Sequence, residues 1–246
     1  MNFFKKILRK LNNLRINDRR HLYKYWEHDH LKKVLATYAV DCVFDIGANN
    51  GQYASMLRKD VGYRGLIISF EPNPEAAAVA RRLAQGDELW LVEEMAVSVA
   101  DGEQTFHVMA DSQFSSLSQP RHDEVDLFKN ANQVKSTFKV KTETLTSAYN
   151  RLSQIHTFQR PFLKMDTQGY DVDIVKNAGP CLANFIGLQS ELAMKKLYEH
   201  SVDFRAAISV YEQQGFQLSA FIPNNGGNFP WLVEIDCVML RADMKQ

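Results

Sequence analysis

The chain has 246 residues, 45% of them hydrophobic and 24% charged, with 29 basic and 29 acidic side chains. A chain of this length buries enough apolar surface to fold without disulfide or metal cross-links, and its zero net charge argues against a nucleic-acid-binding protein built on a broad basic face. No segment approaches the roughly 18 consecutive apolar residues that a membrane span requires.

The first twenty residues differ in character from the rest of the chain. They carry seven basic side chains and one acidic side chain. The apolar residues among them recur at helical spacing, at Phe4, Ile7, Leu8, Leu11 and Leu14. This pattern predicts a basic amphipathic helix that either docks on a membrane surface or a partner, or packs on the edge of its own domain. We therefore predict a helical N-terminal extension over residues 1–40 and one domain over residues 41–246.

From residue 41 onward, short apolar runs alternate with amphipathic stretches, which is typical of parallel β-α units. In the first half of the domain the predicted strands are residues 41–46, 65–70, 89–92 and, as an added hairpin strand, 105–109. The predicted helices there are residues 52–59 and 74–84, the second opened by Pro74 in its first turn.

The second half of the domain begins with a polar stretch, residues 111–133, that shows no periodicity and predicts a long loop or lid. The strands predicted after it are residues 161–165, 185–188, 216–222 and 234–240, the last two joined by a loop over 223–230. Helices are predicted over residues 171–177 and 203–214. The whole pattern predicts one doubly wound α/β domain, in which ligands bind at the carboxyl ends of the strands.

The first predicted strand ends in Asp45-Ile-Gly-Ala-Asn-Asn-Gly51. Two glycines, Gly47 and Gly51, allow a sharp turn and let a ligand lie against the backbone. A dinucleotide fingerprint would have glycine at position 49, where this chain has Asn49. The carboxylate of Asp45 is a poor neighbour for a pyrophosphate, and it suits a ligand with a cationic end, such as the ammonium of an amino acid.

The second predicted strand ends in Glu71-Pro72. A carboxylate at this point of a nucleotide-binding α/β fold accepts hydrogen bonds from both hydroxyls of a ribose. The expected ligand therefore combines a ribose with an amino-acid cation and has no phosphate. S-adenosylmethionine fits that description.

Several motifs resemble those of the FkbM-type methyltransferases, over roughly residues 41–240. They are Val43-Phe-Asp-Ile-Gly-Ala-Asn-Asn-Gly-Gln-Tyr53, Phe70-Glu-Pro-Asn-Pro74, Ala96-Val-Ser98 before Asp101-Gly102, Ser115-Ser-Leu117, Lys164-Met-Asp-Thr-Gln-Gly-Tyr-Asp171 and Gln189-Ser-Glu191. The resemblance implies a Rossmann-like, class I S-adenosylmethionine-dependent fold with a mostly parallel seven-stranded sheet whose last strand is antiparallel. It also implies methylation of a hydroxyl, often on a sugar or a natural product. Asp171 stands where such families usually carry glutamate, and residues 1–40 lie outside the resemblance.

The predicted cofactor contacts combine these motifs with the two strand ends, and they are Asp45, Gly47, Ala48, Asn49, Gly51, Glu71, Pro72, Asn73, Ala96 and Asp166. Asp166 and Glu191 are the predicted catalytic residues. Asp166 directly follows a predicted strand. Its candidate roles are general base, group that orients the acceptor hydroxyl, metal ligand and N-cap of the next helix. A minority interpretation joins Asp166, Glu191 and Asp236 in a Mg²⁺ site that acidifies the acceptor.

The predicted acceptor contacts are Ser115, Ser116, Tyr170 and Trp231, with the serines alternatively shaping a turn and the aromatic residues alternatively belonging to the core. His122, in the predicted lid, is a further candidate base or a solvated loop histidine. No H-E-x-x-H motif occurs, and His28 and His30 have no paired cysteine nearby, so a zinc site is not expected.

The sequence therefore predicts an O-methyltransferase whose acceptor is a hydroxyl of a sugar, glycan or small metabolite. The alternatives are a nicotinamide-dependent reductase of similar fold, which lacks its Tyr-x-x-x-Lys pair here, and a non-catalytic protein that docks on a membrane or a partner through residues 1–20. Three cysteines far apart, with no C-x-x-C pair and no apolar leader after the basic segment, favour a cytoplasmic protein. The oligomeric state and the acceptor are not predicted.

Overall fold

The computed structural model describes residues 22–110, 115–118, 133–195, 198, 202–223 and 230–244. The predicted amphipathic segment at residues 1–20 lies outside this part of the chain, and so do His122 and most of the two predicted loops at 111–133 and 223–230. The three cysteines are buried and free. Among the described helices, none combines the length and the apolar character that crossing a membrane demands.

The strands lie in two groups along the chain, before and after the helix over Leu145–Ile155. The first six are β1 Cys42–Ile46, β2 Leu66–Phe70, β3 Trp90–Glu93, β4 Ala96–Ser98, β5 Gly102–Met109 and β6 Val134–Thr144. The last four are β7 Pro161–Met165, β8 Gly187–Ala193, β9 Phe216–Pro223 and β10 Glu234–Arg241.

Helices lie between most strands of the main sheet, as the sequence predicts, whereas β3 to β6 follow one another without a described helix between them. They are α1 Leu22–Thr37, α2 Gln52–Met56 (continued by a π-helical turn over Leu57–Val61), α3 Pro74–Ala84, α4 Leu145–Ile155, α5 Asp171–Asn177 and α6 Phe204–Gln213, with a 3₁₀ turn over Gly179–Asn184. The start of α3 has a local cause, because the Asn73 side chain accepts a hydrogen bond from the Glu75 backbone N–H and Pro74 occupies the first turn.

The main sheet has seven strands in the order β3-β2-β1-β7-β8-β10-β9. Its pairs are parallel from β3 to β8, and β10, the last strand in the chain, runs antiparallel to both β8 and β9. The prediction of a doubly wound, mostly parallel seven-stranded sheet is therefore confirmed. The strand order reverses between β1 and β7, which places a crevice at their carboxyl ends.

Two apolar cores cover the two faces of this sheet. On one face α4, α5 and α6 pack over Phe44, Leu163 and Met239. On the other face α1 buries Leu31, Val34 and Leu35 against Val43 and its neighbours, together with α2 and the turn that follows it. Helix α1 lies within the predicted N-terminal extension, and it shares a core with the sheet.

A second sheet of three strands, in the order β4-β6-β5, was not predicted as a unit. β5 and β6 form an antiparallel pair, and β6 runs parallel to β4. The sequence predicted only part of β5, as a hairpin strand, and missed β4, β6 and the helix α4 that follows β6. Strand β6 was missed because most side chains in its first half are exposed and give no apolar run.

The strand predicted over residues 185–188 begins two residues later and is longer than expected, since β8 covers Gly187–Ala193. It includes the polar residues Gln189, Ser190 and Glu191. In the structure these side chains are held by other polar groups at the edge of the crevice, so they extend the strand rather than end it.

Candidate active site

The crevice at the carboxyl ends of β1, β2 and β7 opens into a cavity of about 390 Å³. A volume of this size lies within the range of ligand pockets in proteins. Its wall comes from the turn after β1, the end of β2, the segment after β7, strand β8, the second sheet and helix α1. Structure and sequence therefore place the site at the same edge of the sheet.

The turn after β1 is held in an unusual backbone conformation. Gly47 and Gly51 have φ angles of 75° and 79°, and Asn49, which is not a glycine, has φ 46°. A Cβ atom on Gly47 would lie 2.0 Å from the carbonyl oxygen of Asp166, so no other residue fits there. The N–H groups of Gly47 and Ala48 donate to the Phe70 carbonyl at 3.1 and 3.0 Å, which ties the turn to β2.

Glu71 lies directly after β2 and faces the cavity, although the residue is only 6% exposed. Its Oε2 accepts a hydrogen bond from the Asn49 N–H at 2.6 Å, and its Oε1 accepts one from the Asn73 N–H at 2.8 Å. Burial raises the pKa of Glu71 to about 7, against the opposing effect of these two N–H donors. The carboxylate is thus fixed in place, with lone pairs left for a ligand.

Nucleoside affinity at this site should depend on pH. A carboxylate accepts hydrogen bonds from ribose hydroxyls better than a carboxylic acid does, and the pKa of Glu71 is raised to about 7. We expect affinity for 5′-methylthioadenosine to fall about tenfold between pH 8 and pH 6, because most of the carboxylate is protonated at the lower pH. Isothermal titration calorimetry measures this, and this nucleoside has no amino-acid group whose own ionisation would interfere. An affinity unchanged over this range would contradict the assignment.

Asp45, predicted to contact a cationic end of the cofactor, lies beneath the cavity instead. It is fully buried and does not line the cavity wall. Its Oδ2 accepts a hydrogen bond from the Ser69 hydroxyl at 3.0 Å, and its Oδ1 lies 3.4 Å from Nζ of Lys164. The prediction of direct contact was wrong, because position in a strand end does not tell which way a side chain points.

Lys164, which the sequence did not single out, is a buried cation at the centre of the site. Its Nζ lies 3.4 Å from Asp45, 3.8 Å from Asp166 and 3.2 Å from the Gly47 carbonyl oxygen, and 5.3 Å from the ring centroid of Tyr53. Burial alone would lower the pKa of Lys164, but the charges of Asp45 and Asp166 outweigh it and raise the pKa. The ammonium therefore stays charged and links the buried aspartate to the cavity.

Asp166 faces the cavity with 40% of its side chain exposed. Its Oδ1 accepts a hydrogen bond from Gln168 Nε2 at 2.6 Å, and the same Nε2 lies 3.0 Å from Oε2 of Glu191. Tyr198 fixes the other end of this amide by donating to its Oε1 at 2.8 Å. Helix α5 has Tyr170 at its N-cap position and no side-chain cap, so the N-cap alternative for Asp166 was wrong.

Asp171, the one departure from the usual motif, holds the segment that carries Asp166. Its Oδ1 accepts hydrogen bonds from the Thr167 N–H at 2.9 Å and from the Thr167 hydroxyl. Its Oδ2 accepts one from Ser190, whose hydroxyl also lies 2.7 Å from that of Tyr211. The shorter carboxylate therefore anchors the turn after β7 to β8 and α6.

Glu191 and Asp236 also line the cavity. Burial, together with the charges of Glu234 and Asp166, raises the pKa of Glu191 well above its usual range. Burial and the charge of Glu27 raise the pKa of Asp236. Within the described ranges, no three histidine, cysteine, aspartate or glutamate side chains are placed to hold a metal ion. Asp166, Glu191 and Asp236 therefore share the cavity, and the minority interpretation that they form a Mg²⁺ site is not supported.

The four predicted acceptor residues lie in different places. Ser115, Ser116 and Tyr170 line the cavity. Ser116 is 1% exposed, and its hydroxyl lies 3.0 and 2.9 Å from the carbonyl oxygens of Thr167 and Gln168. The Ser116 hydroxyl therefore shapes the loop, which is one of the two roles predicted for this residue. Trp231 is 75% exposed and is not part of the cavity wall, so its core alternative was wrong, and its contact with the acceptor stays a prediction.

Two sets of side chains line the cavity: an apolar half, made of Pro72, Ala96, Val97, Phe106 and Leu117, and a polar half, made of Gln189 and Glu191 of β8 and Glu234 and Asp236 of β10. Of the predicted cofactor contacts, Gly47, Ala48, Asn49, Glu71, Pro72, Ala96 and Asp166 line it. The second sheet adds two apolar side chains that sequence reasoning missed, Val97 and Phe106, and the segment after β5 adds Leu117. Gly51 and Asn73 support the site from behind, since a Cβ on Gly51 would lie 3.0 Å from the Trp90 ring and Asn73 donates to Glu71.

A seven-stranded sheet of this order, with one antiparallel strand beside the edge and a ligand crevice at the switch point, defines the Rossmann-like fold of class I S-adenosylmethionine-dependent methyltransferases. The model of the methyltransferase FkbM domain matches residues 45–218. The chain belongs to the FkbM methyltransferase family, and the predicted family membership is confirmed. Among curated proteins, no significant sequence match is found.

Solved structures with similar folds are distant in sequence. Fibrillarin of Aeropyrum pernix, with natively bound S-adenosyl-L-methionine, is 11% identical with a TM-score of 0.46, over 81% of this chain and 66% of that chain. A SAM-dependent methyltransferase of Aquifex aeolicus is 13% identical with a TM-score of 0.42, over 94% and 97%. Magnesium protoporphyrin IX methyltransferase of Synechocystis PCC 6803, with bound SAM, is 10% identical with a TM-score of 0.41, over 89% and 80%.

Proposed function

We propose that this methyltransferase uses S-adenosylmethionine and transfers the methyl group to a hydroxyl of a sugar, glycan or other small polar metabolite. One observation carries the proposal. A single cavity is lined by Glu71, which directly precedes Pro72 of the apolar half, and by Asp166, which Gln168 links to Glu191 of the polar half. The first suits a ribose, and the second suits an acceptor hydroxyl that must lose a proton.

The residues present fit the cofactor. Glu71 has both carboxylate oxygens oriented by backbone N–H groups, which prepares it for two ribose hydroxyls. Pro72, Ala96, Val97, Phe106 and Leu117 offer an apolar wall for a purine ring. The glycine turn leaves space at Gly47 that a Cβ would remove. Asp166, rather than the buried Asp45, is the carboxylate available to an ammonium or to the acceptor.

S-adenosylmethionine, when bound, supplies a methyl group that its positively charged sulfur already activates. The chain therefore has to align the acceptor and manage one proton. Asp166 accepts the hydrogen bond of the acceptor hydroxyl and takes the proton as the oxygen loses it. Gln168 holds the carboxylate in position, since its amide donates to Asp166 and is itself fixed by Tyr198.

The composition of the polar half favours a hydroxyl-rich acceptor. It contains the carboxylates of Glu191, Glu234 and Asp236 and the amide of Gln189. Such groups recognise sugars by hydrogen bonds, because each hydroxyl both donates and accepts. An apolar acceptor would displace water from these polar groups without offering hydrogen bonds in return, which is unfavourable.

The test is a methyl-transfer screen with radiolabelled S-adenosylmethionine over sugars, lipid-linked glycans and small alcohols. We expect transfer to at least one hydroxyl-bearing acceptor, recovered as a methyl ether. Asp166→Asn should lower kcat at least 100-fold, because the amide cannot accept the proton. Failure of the wild-type protein to bind the cofactor would contradict the proposal, and equal turnover by Asp166→Asn would remove Asp166 from catalysis.

A further inference from the structure

Helix α1 lies outside the matched residues 45–218, yet it forms part of the cavity wall. Lys24, Glu27 and His28 are the wall residues it contributes. They are three and four positions apart, and they therefore lie on one face of the helix. This face meets the polar half of the cavity, where the acceptor is expected, because Glu27 bonds to a side chain of β8.

One buried amide joins Glu27 to the centre of the site. Gln189 is 2% exposed, and its Nε2 lies 2.9 Å from Oε1 of Glu27 and 3.2 Å from Oδ2 of Asp236. Its Oε1 accepts a hydrogen bond from the Tyr53 hydroxyl at 2.9 Å. Since both amide hydrogens and the carbonyl oxygen are used, the amide sets the positions of the two carboxylates side by side.

The rest of α1 keeps Glu27 in place. Leu31, one turn after Glu27, is 0% exposed, and Val34 and Leu35 are 5% and 4% exposed in the core under the sheet. His30 adds a hydrogen bond at 3.1 Å to Ser219 of β9. A carboxylate on a helix fixed at this many points contacts a ligand with little loss of side-chain entropy.

We propose that Glu27 is an acceptor-binding residue, and that its carboxylate, paired with Asp236, accepts hydrogen bonds from hydroxyls of a neutral carbohydrate. This inference rests on the proposed function. Two basic residues, Lys24 and Lys164, line the same cavity as these carboxylates. A wall with charges of both signs suits a neutral ligand whose hydroxyls donate and accept, rather than an ion of one sign. Specificity for the acceptor thus depends on a helix that the family motifs do not include.

The test measures binding of four methyl glycosides, those of glucose, galactose, mannose and rhamnose, by saturation-transfer difference NMR. Each is titrated with and without S-adenosylhomocysteine. We expect at least one to bind the wild-type protein, and Glu27→Gln to weaken that binding about 10-fold to 100-fold. Glu27→Gln keeps an oxygen for the hydrogen bond from Gln189, so the helix should stay in place. Glu27→Ala should weaken binding at least as much.

Asp29→Asn is the matched control, because Asp29 lies on the same helix, is exposed and pairs with Lys33. It should leave glycoside binding unchanged, and all three variants should bind S-adenosylhomocysteine like the wild type. The inference is overturned if no glycoside binds the wild type, if Glu27→Gln binds it equally well, or if Glu27→Gln loses nucleoside affinity in parallel. Failure of the wild type to bind S-adenosylhomocysteine would instead count against the proposed function.

Discussion

Replacing Glu71 with alanine is expected to weaken S-adenosylmethionine binding at least 100-fold. The side chain is the cavity-lining carboxylate next to Pro72 of the apolar half. Each hydrogen bond from a ribose hydroxyl to a charged group contributes about 1.5–3 kcal/mol. The change also removes the acceptor for the Asn49 and Asn73 N–H groups, which loosens the turn after β1. Isothermal titration calorimetry with the cofactor measures the loss directly.

Glu71→Gln separates the two effects, because it keeps the size of the side chain and one oxygen for a backbone donor. We expect it to lower affinity while leaving the unfolding midpoint near that of the wild type. Glu75→Ala, an exposed carboxylate in the first turn of α3, is the control and should bind the cofactor normally. Tight binding by Glu71→Ala would mean that Glu71 does not hold the ribose.

The parts of the fold that the sequence predicted best have strong local signals. The bounds of α3, β7 and α5 agree with the predicted ones at both ends. Pro74 and Asn73 fix the start of α3, and β7 is a run of five buried residues. Strand β6 has no such signal, since its first half is exposed and it is held by pairing with β5. Pairing across a sheet leaves little trace in a single strand's sequence.

The parts of the candidate site that depend on a tight backbone turn or on a strand end could be predicted from the sequence. The glycine turn and Glu71 are recognisable because glycines at fixed offsets and an acid after the second strand have few other purposes in this fold. Asp45 was misassigned because its partner, Lys164, lies on β7 and is adjacent only through the register of β1 with β7. Glu27 and Gln189 are 162 positions apart, so no local pattern links them.

The predictable residues and the unpredicted residues differ in their proposed roles in the site. In the proposed function the predictable residues, Gly47 and Glu71, contact the nucleoside at a turn and a strand end. The unpredicted residues join distant segments: Lys164 of β7 bonds to Gly47, Gln168 bonds to Glu191 of β8, and Gln189 of β8 bonds to Glu27 of α1. The proposed acceptor contacts therefore depend on contacts between distant segments, while the proposed cofactor contacts lie in motifs that are continuous in the chain.

Lys164→Met should destabilise the protein by about 3–5 kcal/mol, because removing one partner of a buried pair leaves an uncompensated charge on Asp45. The ammonium also holds the Gly47 carbonyl oxygen and faces the Tyr53 ring, so the turn after β1 should lose order at the same time. Urea unfolding followed by circular dichroism measures the change in the free energy of unfolding.

The double variant Asp45→Asn/Lys164→Met decides whether charge is the cause. Removing both charges leaves a neutral amide that still accepts the hydrogen bond from Ser69, so the double variant should be more stable than Lys164→Met alone. Lys141→Met, on the exposed side of β6, should change stability by no more than about 0.5 kcal/mol. If Lys164→Met is as stable as this control, the buried pair does not hold the site together, and the fixed position of Asp166 must come from Gln168 and Asp171 alone.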